Sequence, residues 1–185
     1  RHGLRTDTEC VAFAPQSDAI SALLDAPWPQ LDFRRDLYRE LEALVTDLVL
    51  FGLQRGGWLR APGSALAGHA GPTVLPKYRP LMAEFARMLR AAGYLRLEAD
   101  VATERVRPLD FGALQRRGRE LGGAAPELQP VVTLCERCAT ELAPVLTGLT
   151  PATDVVFPRS SLELVEPIYK DNPISDYYNG LVVGA

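Results

Sequence analysis

The chain has 185 residues, enough for one domain or two small ones. Its 47% hydrophobic and 23% charged residues exclude a chain that stays disordered throughout. Twenty Lys and Arg against 23 Asp and Glu leave a net charge of −3, which supplies no general attraction to nucleic-acid phosphates. Three Cys cannot build a disulfide framework and predict a reducing, cytoplasmic setting. The start, RHGLRTDTECVAF, shows no initiator Met and no secretory pattern, which reads as a piece excised from a longer chain. No apolar run approaches the roughly 20 residues a membrane span needs.

From Arg1 to about Gln30 the sequence reads as a lead-in or linker. It has a β-like run around Cys10 to Ala14 and one short helix, capped by Ser17 or Asp18 and ended before Pro27. RRDLYRELEALVTDLVLFGLQRGG then sets Leu37, Leu41, Leu44, Val45, Leu48 and Phe51 at three- and four-residue intervals, the spacing of a helix with a buried face. Asp32 is a candidate N-cap, and Gly56-Gly57 offers the left-handed residue of a C-terminus. Residues 61–73, rich in Gly and Pro, predict an exposed loop carrying His69. Pro76 suits the start of a second helix that puts Leu81, Met82, Phe85, Met88 and Leu89 on one face and stops at Gly93. Tyr94 to Glu98 and Glu104 to Leu109 are β-forming runs that predict a hairpin, hence a winged-helix-like unit.

Pro108 to Gly123 reads as an Arg-rich helix packing through Leu109, Phe111, Leu114 and Leu121. Pro126 introduces a further helix from Leu128 to Gly148, in which Pro144 predicts a kink or an early end. The tail alternates Pro-marked turns with short apolar groups and ends on a helix from near Pro173, capped by Asp171 or Asn172. The fold class expected is mainly α, with a small β-hairpin.

Candidate chemistry is sparse. Cys135 and Cys138 share a helix face, but Cys10, His2 and His69 are too distant in sequence to complete a tetrahedral set by spacing, so no metal site is assigned. His69 has no neighbouring nucleophile, and no carboxylate pair can be singled out for acid–base work. No phosphate-binding loop of the dinucleotide or triphosphate kind occurs. Arg116, Arg117 and Arg119, with Arg87, Arg90 and Arg105, could meet an acidic partner protein, and a solvated helix face accounts for them equally well.

The C-terminal part carries a more specific pattern. From Leu134 onward it places Leu142 to Gly148 (LAPVLTG), then Val155-Val156-Phe157-Pro158, Tyr169, Asp171-Asn172-Pro173 and Tyr178-Asn179. In order and spacing this resembles the segment that precedes the methyltransferase core in modular polyketide synthases and related nonribosomal peptide synthetases. The resemblance extends more loosely back to Arg34. It implies a helical lid subdomain over residues 34–170, a first core helix at 171–185, and an unassigned lead-in at 1–33.

Such enzymes methylate the α-carbon of a β-ketoacyl chain tethered by phosphopantetheine to an acyl carrier protein, with S-adenosylmethionine as methyl donor. The Gly-rich cofactor loop and the His-Glu catalytic pair of the family would follow the Tyr-Asn helix, so the resemblance assigns no catalytic residue, and no bound cofactor, to residues 1–185. It places Tyr177, Tyr178 and Asn179 at the substrate and cofactor entrance. Arg87, Arg90, Arg116, Arg117 and Arg119 become candidates for carrier-protein docking, next to neighbouring synthase domains and the polyketide acyl chain as partners. A non-catalytic structural adaptor within the synthase is the alternative. Winged-helix nucleic-acid binding is disfavoured by the acidic balance.

Overall fold

The computed structural model describes residues 35–66, 71–96, 99–170 and 175. The lead-in with its short helix, the Asp32 cap, His69 and the helix expected from Pro173 fall outside those residues, apart from Ser175. Among the described residues the chain is mainly α, with six α-helices: α1 (Arg35–Gly56), α2 (Arg79–Ala91), α3 (Phe111–Ala124), α4 (Gln129–Thr147), α5 (Ala152–Val156) and α6 (Glu166–Tyr169). No helix among them is long and apolar enough to cross a membrane.

The long helix α1 organises the rest. Leu44 and Leu48, from the expected face, are buried, but so are Leu50 and Leu53, which the simple spacing leaves out. The reason is that α1 is packed on two sides. Leu44 and Leu48 join Leu114, Leu121, Leu128, Val132 and Ala139 in one core. Leu50 and Leu53 join Trp58, Leu59, Leu89, Val106, Leu142 and Leu146 in another. α4 contributes to both cores. It approaches α1 so closely that a β-carbon on Gly52 would stand 2.8 Å from the Ala139 carbonyl oxygen and 2.8 Å from Leu142 Cδ2. Glycine here lets two helix backbones meet without a side chain between them.

Local signals end the helices where the sequence predicts. Gly57 takes φ +94°, and the N–H groups of Gly57 and Trp58 donate to the carbonyls of Gln54 and Leu53. The Trp58 indole N–H then donates to the Pro72 carbonyl at 3.2 Å, tying down the far end of the following loop. A 3-10 turn at Pro76–Tyr78 leads into α2, which closes at Gly93. Ala86 and Leu89 are its buried residues, whereas Leu81, expected on the buried face, is exposed.

Two expectations are corrected. Among the described residues the expected hairpin of two strands is not confirmed. In its place are two isolated antiparallel bridges, Leu95 with Ala102 and Ala65 with Val101, so the segment pairing with Tyr94 to Arg96 is 101–103 rather than 104–109. The cause is a side chain. Gln54 of α1 donates from Nε2 to the Arg107 carbonyl at 2.7 Å and accepts from the Leu109 N–H at 3.0 Å, occupying backbone groups that a strand would need. The helix after Pro126 does not end early at Pro144 either. It begins with a 3-10 turn at Pro126–Leu128 and continues to Thr147, with Gly148 in the left-handed region as its cap. Pro144 lies in the last turn, where its missing N–H costs a single backbone bond, to the carbonyl of Thr140. α3 starts at Phe111 because the Asp110 side chain caps it, accepting from the Gly112 N–H at 3.0 Å.

Candidate functional site

Of the arginines singled out in the sequence, all but Arg105 lie on α2 and α3, and most of these face a carboxylate. Arg87 reaches back one turn to Glu84 on α2. Arg90 Nε donates to Asp100 Oδ1 at 2.6 Å, clamping α2 to the 99–103 segment. Arg116 stands 3.9 Å from Asp110. Arg119 acts by charge on Glu136, helping to offset the burial that raises that carboxyl. Arg117 points inward. Arg87 and Arg116, with side chains 66% and 62% exposed, are the most exposed of the four arginines in these ion pairs, and Arg119 is exposed as well.

Arg117 belongs to a polar hub that sequence reading missed. Asp47, at mid-length of α1, accepts from the Tyr94 hydroxyl at 2.7 Å through Oδ1 and from Arg117 at 2.6 Å through Oδ2. One carboxylate thus joins α1, the end of α2 and α3. The Arg105 guanidinium lies 5.6 Å from the centre of the Tyr94 ring. Burial, then the bond to Asp47 and its negative charge, push the Tyr94 phenol up to about 12, with Arg105 and Arg117 opposing. The available signal was a lone carboxylate inside the apolar run Val45 to Leu50.

An apolar cleft of about 120 Å³ opens between α1, α2 and α4. Its walls are Val45, Leu48, Val49, Phe85, Cys135, Cys138, Ala139 and Leu142. No charged side chain lines it, so it suits aliphatic or aromatic groups and offers nothing stronger than a thiol for hydrogen bonding. At Val45 it adjoins a wider groove of mixed lining between α1 and α2, whose polar members are Arg39, Glu42, Thr46 and Arg87. Burial, with Cys138 and Glu136 adding to it, pushes the Cys135 thiol up to about 11, and burial raises Cys138 as well. Both sulfurs are therefore protonated near neutral pH, the state least suited to attack or to metal ligation. Among the described residues no group of three His, Cys, Asp or Glu could hold a metal ion.

S-adenosylmethionine, which the resemblance implies for a complete domain, needs a cradle of the kind formed where a strand opens through a Gly-rich turn into a helix. Among the described residues no strand opens through a Gly-rich turn into a helix. Tyr177, Tyr178 and Asn179 lie outside the described residues.

No protein-family model matches the sequence. The chain is 38% identical over 124 residues to polyketide synthase ThaQ of Burkholderia thailandensis, covering 64% of this chain and 6% of that protein. It is 30% identical over 168 residues to polyketide synthase PksM of Bacillus subtilis, covering 89% of this chain and 4% of that protein. Its fold matches the crystal structure of the DszA carbon methyltransferase with a TM-score of 0.69 and 31% identity, covering 92% of this chain and 42% of that one. The CurJ carbon methyltransferase gives a TM-score of 0.66 at 20% identity, a likeness of fold, over 91% of this chain and 45% of that one. The chain thus spans less than half of the solved methyltransferases and a small part of the synthases it matches.

Proposed function

We propose that the chain, similar in sequence to polyketide synthases and in sequence and fold to the DszA carbon methyltransferase, forms the helical lid of a polyketide synthase carbon methyltransferase domain. In this reading the lid closes over a β-ketoacyl chain held on an acyl carrier protein, in the cytoplasm, while the α-carbon receives a methyl group from S-adenosylmethionine. The observation that carries the proposal is the DszA match. The chain, mainly α among its described residues, aligns over 92% of its length at 31% identity, while more than half of that methyltransferase lies beyond the match.

What these residues would do follows from their chemistry. Loss of the α-proton leaves an enolate that water can reprotonate, so a cover that excludes water favours carbon–carbon bond formation. The cleft between α1, α2 and α4 offers apolar walls to an acyl chain, and the Asp47 hub ties α1 to α3 and to Tyr94 after α2. Arg87, Arg116 and Arg119 are exposed and would meet the acidic surface of a carrier protein. Tyr177, Tyr178 and Asn179 would stand at the entrance, and the cofactor would be held by the rest of the domain.

The test is methyl transfer by the domain extended to the length of its solved relatives. It would be supplied with methyl-labelled S-adenosylmethionine and a β-ketoacyl carrier protein. Label at the acyl α-carbon supports the proposal. An intact domain that transfers no label to the acyl chain refutes it and leaves the structural adaptor.

A further inference from the structure

The exposed arginines of α2 and α3 have carboxylates beside them, but a second group does not. Residues 51–60 and 104–107 carry Arg55, Arg60, Arg105 and Arg107 and a single acid, Glu104, in a chain whose net charge is −3. All four arginines are exposed, and none belongs to an ion pair among the described residues. The fold brings the two stretches together. Arg55 stands in the last turn of α1, and the Arg60 guanidinium folds back over Gly57, where a β-carbon would stand 3.0 Å from its Nη2 atom. Gln54 holds the other stretch alongside through its bonds to the Arg107 carbonyl and the Leu109 N–H. Val106 is buried, while Arg105 and Arg107 on either side of it are exposed. Arg105 extends the cluster to the end of α2, where it lies against Gly93 and the Tyr94 ring. Asp110, the next carboxylate along the chain, is turned to the Gly112 N–H and Arg116. A helix C-terminus carries about half a negative charge, so the ends of α1 and α2 offset only part of this cluster.

We infer that Arg55, Arg60, Arg105 and Arg107 form the surface on which the acyl carrier protein docks, with the arginines of α2 and α3 contributing less. The inference rests on the reading of the chain as a methyltransferase lid and deepens it by locating the partner. Charge complementarity selects an acidic protein, and the −3 of the whole chain disfavours nucleic acid. Position selects one that carries a tethered chain. Val49, in the wall of the apolar cleft, lies six residues before Arg55 on α1, about 9 Å along the helix axis. A flexible phosphopantetheine arm rooted at the cluster spans that distance. Arg87 and Arg116 each have a carboxylate that offsets their charge before any partner arrives.

Binding tests this without turnover. The affinity of a fluorescently labelled holo acyl carrier protein for the extended domain is read by anisotropy across a range of salt concentrations. Arg105 is left in place because it packs on Tyr94. Arg55→Gln, Arg60→Gln and Arg107→Gln should each raise Kd about twofold and the triple variant about tenfold, with a flatter salt dependence. Lysine at the same three positions should keep most of the affinity, and Arg87→Gln with Arg116→Gln should change Kd less than about threefold. The single variants carry the test if the triple variant does not fold. Unchanged affinity in the variants, no binding by the parent domain, or a larger loss on replacing Arg87 and Arg116 overturns the inference. So does tighter binding of a duplex oligonucleotide than of the carrier protein, which identifies nucleic acid as the occupant. A domain that docks the carrier protein through these arginines yet transfers no methyl group refutes the proposed function and leaves the docking surface standing.

Discussion

Replacing Asp47 by alanine tests how the helices of this domain are held together. The substitution removes two bonds at once, one from the Tyr94 hydroxyl at 2.7 Å and one from Arg117 at 2.6 Å. A bond to a charged group contributes about 1.5–3 kcal/mol when well shielded. The Asp47 side chain is 16% exposed and that of Arg117 35%, so solvent screens the ion pair toward about 1 kcal/mol. Both orphaned partners can find water, which limits the penalty for leaving them unpaired. Together the losses come to about 2–3 kcal/mol. At about 2–4 °C per kcal/mol for a chain of this size, the melting temperature should fall by about 5–10 °C. Asp47→Asn, which keeps an acceptor for Tyr94 and loses the charge, should cost about half as much. Urea unfolding of Asp47→Ala, Tyr94→Phe and the double variant should give a coupling of about 1 kcal/mol. A loss below about 0.5 kcal/mol together with no coupling would show that the hub does not hold the helices.

Three further outcomes follow from the geometry. Gly52→Ala forces a methyl group against the Ala139 carbonyl. Overpacking of about 1–3 kcal/mol, less about 1 kcal/mol gained in helix propensity, should lower the urea midpoint, and an unchanged or higher midpoint would contradict the close approach of α1 and α4. The Tyr94 phenol lies at about 12 in the fold against its ordinary 10.0. A raised pKa means that the neutral phenol stabilises the fold, fully so below pH 10, with the contribution lost as pH climbs from 10 to 12. Partial exposure reduces this to about 1 kcal/mol, and Tyr94→Phe should flatten the alkaline slope in denaturation curves, so an unaltered slope would argue against the assignment. In a Cys10→Ser background, Cys135 and Cys138 should react with a disulfide reagent at neutral pH at least tenfold more slowly in the folded chain than in urea, because burial keeps both as thiols. Equal rates would place them outside the cleft.

The helices were legible because their signals are local. Pro76 and Gly93 bracket the second helical stretch, and Gly57 and Gly148 close α1 and α4 by taking the left-handed conformation that only a residue without a side chain adopts freely. Burial was only half legible. Leu50 and Leu53 escape a one-face reading because α1 has neighbours on two sides, which periodicity in one helix does not reveal. The second arm of the hairpin was misplaced for a related reason. Gln54 satisfies the backbone at Arg107 and Leu109 from more than 50 positions away. Arg117 read as one of a surface cluster, yet its partner Asp47 lies 70 positions earlier on another helix. The family was legible in the tail, where the Leu142 to Gly148 and Val155 to Pro158 phrases occur in order. Tyr177, Tyr178 and Asn179, which the same resemblance placed at the entrance, lie outside the described residues.

The lid assignment is tested most directly by comparing the extended methyltransferase domain with the same domain lacking residues 35–170. Both would be assayed for transfer of labelled methyl from S-adenosylmethionine to a β-ketoacyl carrier protein and, in parallel, for S-adenosylmethionine binding by calorimetry. The account predicts that the shortened protein still binds S-adenosylmethionine but leaves the acyl chain unmethylated. Methylation of the α-carbon at an undiminished rate without these residues would contradict it.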